Sequence, residues 1–158
     1  MSLAQQAVAQ IDNAREFFDR STRALTEEHA NLTPAPGMMT AARQVAHAAQ
    51  TIDWFIEGAL RPEGFDTDFE GHLRALDAVT TLAEARAFAK SVDAARATLG
   101  GKSDAELLAP IADGPVMGGA PRMAIVSAIT DHTAHHRGAL AVYARLAGVT
   151  PPMPYADM

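Results

Sequence analysis

Apolar residues recur along most of the chain at the spacing of an α-helix. In the first segment they are Leu3, Ala7, Ile11, Ala14, Phe18 and Leu25, which lie three, four or seven residues apart. This pattern predicts a helix over about residues 2–32, which the prolines of the segment 34–37 end. A second apolar stripe, from Val45 to Leu60, predicts a helix over about residues 40–60 with Thr40 as its N-cap.

Two more helices are predicted in the second half of the chain. Thr81 and Glu84 have the spacing of a capping box, which indicates the start of a helix over about 81–99 that ends at a glycine pair. A stripe that begins at Ile125 predicts a helix over about 121–147, whereas the polar stretch 65–80 predicts a long surface loop with room for a helical turn. With no sustained alternating pattern of a strand, we expect an all-α fold, a four-helix bundle forming one domain over residues 1–158.

Composition and charge exclude several classes of function. The 158 residues contain no cysteine, so thiolate metal sites and cysteine nucleophiles are excluded. The net charge is −6 and the basic residues are scattered, so we expect no nucleic-acid partner. No apolar run has the length of a membrane span, and the first residues do not resemble a signal peptide, so we expect no membrane partner and a cytoplasmic protein.

The fourth predicted helix carries two histidines on its apolar stripe. His132 and His136 occupy the two positions that continue the stripe between Ile129 and Leu140. Two imidazoles at i and i+4 lie on one face of a helix and can chelate one metal ion. The alternative is that each histidine pairs with a carbonyl or carboxylate of a facing helix, and His132 with His135 is a second possible pair.

A catalytic metal site of this kind needs a third protein ligand. The candidates are His29, His47, His72 or a carboxylate. The helical wheel favours His29, which falls on the apolar stripe of the first predicted helix. His47 falls opposite the stripe of its helix and faces the interior only if that helix is buried on two sides, which Trp54 on the same face supports.

The residues around these histidines resemble a known family. The His47…Trp54 stretch, the run Asp131–Gly138 and the closing segment 143–152 resemble the DinB/YfiT-like family of proposed metalloenzymes. The resemblance implies a four-helix bundle, often a homodimer, in which three histidines hold a divalent metal such as nickel or zinc. Carried over to this chain, those ligands are His47, His132 and His136.

The resemblance leaves two functions open. One is an enzyme with an open coordination position on the metal, a thiol-dependent S-transferase or a hydrolase acting on a small molecule, with a low-molecular-weight thiol as cofactor. In that case Arg137 is a candidate to bind an anionic group of the substrate near the mouth of the site. The other is a non-catalytic, metal-stabilised bundle with a binding or stress-response role. A haem bundle, with Met39 or Met123 as axial partner of an interior histidine, is a third interpretation of the same residues.

Overall fold

A computed structural model of the chain describes residues 1–87 and 90–156, and helices dominate over these residues. The α-helices are α1 (Leu3–Thr22), α2 (Ala41–Leu60), α3 (Phe69–Ala75), α4 (Leu82–Ala87), α5 (Lys90–Gly100), α6 (Asp104–Leu108) and α7 (Ile125–Leu146). Short 3₁₀ turns cover Glu27–His29, Leu76–Ala78 and Arg122–Ala124. Within the described ranges, the β pairing is limited to an isolated bridge between Pro110 and Pro121. The all-α fold expected from the sequence is confirmed.

The four longest helices form the body of the fold. Helix α7 packs against α1 and α2, and α5 packs against the same two helices. The order around the bundle is therefore α1, α7, α2, α5, with α1 and α2 on one diagonal. Helix α4 adds a further contact to α2. Because α2 is flanked by α7 on one side and by α4 and α5 on the other, it is buried on more than one face.

The apolar core consists of two clusters stacked along the bundle. One cluster contains Phe18, Val45 and Tyr143, and the other contains Ile11, Ile52 and Ile129. On α7 the boundary falls between Ile129, in one cluster, and Leu140, in the other. The segment with His132 and His136 therefore crosses the middle of the bundle, between two apolar regions.

The first helix is shorter than predicted. It begins after Ser2, which forms a capping box with Gln5, but ends at Thr22 and not near residue 32. The chain then turns through Glu27–His29, and Leu25 and Ala30 are buried beside the turn. The prediction was wrong here because the apolar residues keep the spacing of a helix in the sequence, whereas in the structure they pack beneath a turn. The prolines at 34–37 therefore do not end the helix.

Other boundaries agree or differ in smaller ways. Thr40 caps α2, since its side chain accepts a hydrogen bond from the amide of Arg43, and the Thr81–Glu84 capping box is present. The predicted helix 81–99 corresponds to α4 and α5, with residues 88 and 89 outside the described part of the chain. The stretch expected to be a loop holds α3, and α7 begins at Ile125 after a 3₁₀ turn that follows Pro121. In the ranges 1–87 and 90–156, we find no helix with the length and apolarity of a membrane span.

Candidate metal centre

Three histidine side chains converge in the middle of the bundle. His132 and His136 project from successive turns of α7, and their Nε2 atoms are 3.0 Å apart. The ring of His47, on α2, is centred 5.2 Å from the ring of His132 and 4.8 Å from that of His136. One nitrogen from each residue can be chosen so that all three lie within 4.8 Å of one another. Side chains from two helices thus meet at one point.

Burial of α2 on more than one face explains how His47 reaches this point. Ala46 and Ala48, on either side of it, are both buried, as are Val45 and Ala49. The small alanine side chains let the neighbouring helices approach α2 closely. The sequence predicted that His47 faces the interior only if its helix is buried on two sides, and α2 meets this condition.

The three imidazoles are neutral at physiological pH. Burial, with the neighbouring imidazoles as a smaller cause, lowers the pKa of His136 to about 3 and that of His132 to about 4. Burial also lowers the pKa of His47, while Gln50 beside it opposes the shift. A neutral imidazole keeps a lone pair for a metal ion. Protonation therefore does not block the ligand atoms at pH 7.

The donor set fits a divalent transition-metal ion. Metal–nitrogen bonds of about 2.0–2.1 Å place two ligands of one ion roughly 3–3.4 Å apart, and the Nε2 atoms of His132 and His136 have this separation. Of the ring nitrogens, the Nε2 atoms of His132 and His136 contact each other, and the buried Nδ1 atoms of all three residues have no hydrogen-bond partner among the described residues. Buried ring nitrogens with so few partners are costly unless another group satisfies them, and a metal ion would take one nitrogen from each ring. The group of His47, His132 and His136 can hold a metal ion.

A cavity of about 290 Å³ opens beside the three histidines. His47 and His132 form part of its wall, whereas His136 does not line it and is buried, with 7 % of its surface exposed. The rest of the wall is mainly apolar, and the residues that form it are Gln50, Thr51, Trp54, Phe55, Phe69, His72 and Leu73. A volume of this size accommodates a small organic molecule.

The aromatic wall of the cavity is held by contacts to α2. The indole N–H of Trp54 donates to the backbone carbonyl of Asp66 at 2.7 Å, and the Trp54 ring is centred 4.6 Å from that of Phe65. Phe65 in turn packs directly on the helix at Gly58, where a Cβ atom would lie 2.2 Å from the ring. A side chain at position 58 would displace Phe65, so this glycine is required by the packing.

Helix α3 covers the same cavity, where the sequence predicted a loop with at most a helical turn. The Gln50 amide of α2 donates to the backbone carbonyl of His72 at 3.0 Å, which ties α3 down. His72 lines the cavity but does not belong to the group of three. The sequence signals that could have revealed α3 are the Asp68 N-cap and the i, i+4 pair of Phe69 and Leu73.

The other predicted ligands lie elsewhere. His29, which the helical wheel favoured, lies beyond the end of α1, where its Nδ1 accepts a hydrogen bond from the amide of Thr26. The wheel fails because α1 has already ended. His135 is exposed, and although its ring is centred 4.8 Å from that of His136, it is not part of the group. Met39 and Met123 do not line the cavity.

Arg137 also departs from its expected position. Its guanidinium group does not line the cavity beside the histidines. It lies against the rings of Phe17 and Tyr155, which contact each other edge to face, in a separate groove along α1. The expectation that Arg137 stands at the mouth of the histidine site is therefore wrong in its geometry.

The fold and the site define a helical bundle whose interior can hold a metal ion on three histidines. The model of the DinB family matches residues 1–158, and the chain belongs to the DinB family. Its fold is similar to the crystal structure of a DinB-like protein from Bacillus cereus ATCC 10987, with a TM-score of 0.67 and 23 % sequence identity. That similarity covers 95 % of this chain and 93 % of the other. No curated protein matches the sequence.

Proposed function

We propose that His47, His132 and His136 hold one divalent metal ion and that the protein is a metal-dependent enzyme acting on a small organic molecule. The observation that carries this proposal is the convergence of three neutral imidazoles, each with an unpaired ring nitrogen, beside a cavity of about 290 Å³. A purely structural metal site has no need of an adjoining cavity, and closed structural sites usually have four protein ligands.

The ligand set determines the chemistry that the ion supplies. Three neutral ligands leave the full positive charge on the ion, which when bound supplies Lewis acidity and lowers the pKa of a water molecule or thiol in its open position. Imidazole suits nickel, zinc and copper, and nickel or zinc is the expected occupant. Among the described residues, the group contains no carboxylate that would reduce this charge.

The protein side chains around the ion bind and shield the substrate. Trp54, Phe55 and Phe69 offer apolar surface for a hydrocarbon part of the substrate and exclude water from the histidines. Besides the proposed ligands, Gln50, Thr51 and His72 provide the polar groups at the cavity wall. This arrangement favours a small, largely apolar electrophile, and the reaction proposed is thiol-dependent S-transfer, with hydrolysis as the alternative for the same site.

Metal content tests the first part of the proposal. The full chain is purified, loaded with nickel or zinc, dialysed and analysed by mass spectrometry, together with the variants His136→Ala and His135→Ala. We expect about one ion per chain in the wild type and in His135→Ala, and loss of the ion in His136→Ala. Equal metal content in the two variants would place the ion elsewhere.

Turnover tests the second part. The loaded protein is assayed with small electrophiles and a panel of low-molecular-weight thiols, and then with esters and no thiol. Catalysis that disappears on chelation and returns with the ion supports a metal-dependent enzyme. If metal raises stability and no substrate is turned over, the protein is a metal-stabilised binding bundle.

A further inference from the structure

A second cavity, of about 340 Å³, lies in a groove between α1, α7 and the C-terminal segment. It shares no lining residue with the cavity beside the three histidines. On α7 it is lined by Thr130, Thr133 and Arg137, whose spacing of three and four residues places them on one face of the helix. Phe17 of α1 and Tyr155 of the C-terminal segment complete it at the Arg137 end.

Arg137 carries a positive charge without a carboxylate partner within the described ranges. Its Nη2 atom donates to the phenol oxygen of Tyr155 at 3.1 Å, and its guanidinium carbon lies 5.8 Å and 5.3 Å from the ring centroids of Phe17 and Tyr155. These contacts fix the orientation of the guanidinium group and leave most of its five N–H donors unused. They do not neutralise its charge.

As far as the structure describes the chain, the groove is lined by no acidic residue although the protein is acidic. The chain has 19 Asp and Glu residues against 13 Lys and Arg, and its net charge is −6. None of the described residues that line this groove is an aspartate or a glutamate. Arg137 therefore makes the groove a locally positive site on a protein whose net charge is negative.

Thr133 supplies a second, independent indication of a ligand. Its side chain lines the groove and also a smaller neighbouring cavity bounded by Phe18 and Val45, only 4 % of the residue is exposed, and its hydroxyl has no hydrogen-bond partner among the residues described. Buried helical threonines usually satisfy this hydroxyl with the carbonyl four residues earlier, as Thr22 does with Phe18 at 2.9 Å. A buried hydroxyl without a partner is costly, and a ligand oxygen in the groove would satisfy it.

We propose that this groove is a second ligand site, which binds the carboxylate of a small organic acid with a flat apolar body. The planar guanidinium fork matches a planar carboxylate in a bidentate arrangement. The rings of Phe17 and Tyr155 provide surface for the flat body beside the charge, and the Thr133 hydroxyl donates to a carboxylate oxygen. The site is distinct from the histidine cavity and does not depend on a metal ion.

Titration of the full chain with three probes tests this assignment. Benzoate, benzamide and inorganic phosphate are added to the isotopically labelled protein, and binding is followed by NMR chemical shifts and calorimetry. We expect saturable binding of benzoate in the millimolar range, with chemical-shift changes at Thr133 and Arg137. Benzamide and phosphate should bind with an affinity roughly tenfold or more below that of benzoate. Arg137→Gln should weaken benzoate binding roughly tenfold or more, and Thr133→Val severalfold.

Matched controls separate this site from the histidines and from the fold. Arg145→Gln, an exposed arginine on the same helix, should leave benzoate binding unchanged, and so should the addition of a chelator. If Arg137→Gln does not fold, Arg137→Lys keeps the charge without the fork and should bind benzoate less tightly than the wild type. Binding that is lost with chelator, equal affinity for benzamide or phosphate, or absence of saturable binding would each overturn the proposal, the last by showing that Arg137 only clamps Tyr155.

Discussion

The carboxylate of Glu27 caps a helix that begins 55 residues later in the chain. It accepts hydrogen bonds from the backbone amides of Leu82 at 2.9 Å and Ala83 at 2.7 Å, at the start of α4. These amides have no partner within their own helix because the first turn lacks preceding carbonyls. The turn that ends the α1 segment is therefore joined to α4 by a charged cap, in addition to the local capping box of Thr81 and Glu84.

Removal of this cap should destabilise the protein by an amount typical of a helix cap. Glu27→Ala leaves two amides without their acceptor, and we expect the free energy of unfolding to fall by about 1 kcal/mol. The matched control is Glu28→Ala, since that side chain is 78 % exposed and should change stability by less than about 0.5 kcal/mol. Urea unfolding followed by circular dichroism measures both. Equal losses in the two variants would show that the cap contributes nothing.

The sequence predicted the parts of this molecule that depend on local spacing. The helical stripes of α2 and α7, the Thr40 cap and the shared face of His132 and His136 follow from residues close together in the chain, and the structure places all of them as expected. The end of α1 was wrong because Leu25 packs beneath a turn, which a periodic pattern cannot distinguish from helix.

The rest of the candidate site depends on contacts between distant segments. The inward direction of His47 requires knowledge of which helices flank α2, and the helical wheel alone favoured His29. The cover of the cavity by α3 rests on Gln50 reaching the carbonyl of His72, 22 residues away. The resemblance to the family identified His47 as a candidate ligand, and the packing around α2 explains its inward direction. The bound metal ion stays a prediction.

Acidification should destabilise the metal-free protein in a defined pH window. The pKa values of His132 and His136 fall to about 4 and about 3 in the folded state, below the usual value of 6.5. Below pH 6.5 the unfolded chain therefore binds protons that the folded state does not, and stability decreases as the pH falls towards 4. The slope is at most about 1.4 kcal/mol per pH unit for each histidine.

Chemical unfolding between pH 8 and pH 4.5 in the presence of a chelator measures this effect. The carboxylates with lowered pKa, Glu84 and Glu106, lose their contribution only at more acidic pH. The double variant His132→Gln, His136→Gln should flatten the profile above pH 4.5. A wild-type profile as flat as that of the variant would mean that these rings are not neutral and buried in solution.

Two glycines in long helices should respond in opposite ways to the same substitution. At Gly138 of α7 a Cβ atom would meet nothing within 4 Å, so Gly138→Ala should stabilise the protein by roughly 0.5–1 kcal/mol through helix propensity. At Gly58 the Cβ atom would collide with the Phe65 ring, and Gly58→Ala should destabilise it by roughly 1–3 kcal/mol despite the same gain in propensity. Urea unfolding compares the two variants.

The fluorescence of Trp54 gives a local readout of the Gly58 substitution. Trp54 is the one tryptophan in the sequence, and its ring packs against Phe65. Displacement of Phe65 should expose the indole and shift its emission to longer wavelength, whereas Gly138→Ala should leave the emission unchanged. An unchanged spectrum with unchanged stability in Gly58→Ala would contradict the packing described for the cavity wall.

Metal binding should raise the stability of the folded protein only while all three imidazoles are present. A ligand that binds the folded state adds about 2.7 kcal/mol at a free concentration one hundred times its Kd. For a chain of this size, that gain corresponds to an increase in Tm of roughly 5–10 °C. His132→Ala removes one member of the group and should reduce the shift to near zero, whereas His135→Ala should retain it. Because the unfolded chain also contains six histidines that bind metal weakly, the comparison between the two variants, which lose one histidine each, isolates the folded site.

Thermal unfolding with and without nickel or zinc, with chelator as the reference, measures the shift. A shift of the same size in both variants would mean that metal stabilises the fold from somewhere other than the junction of α2 and α7.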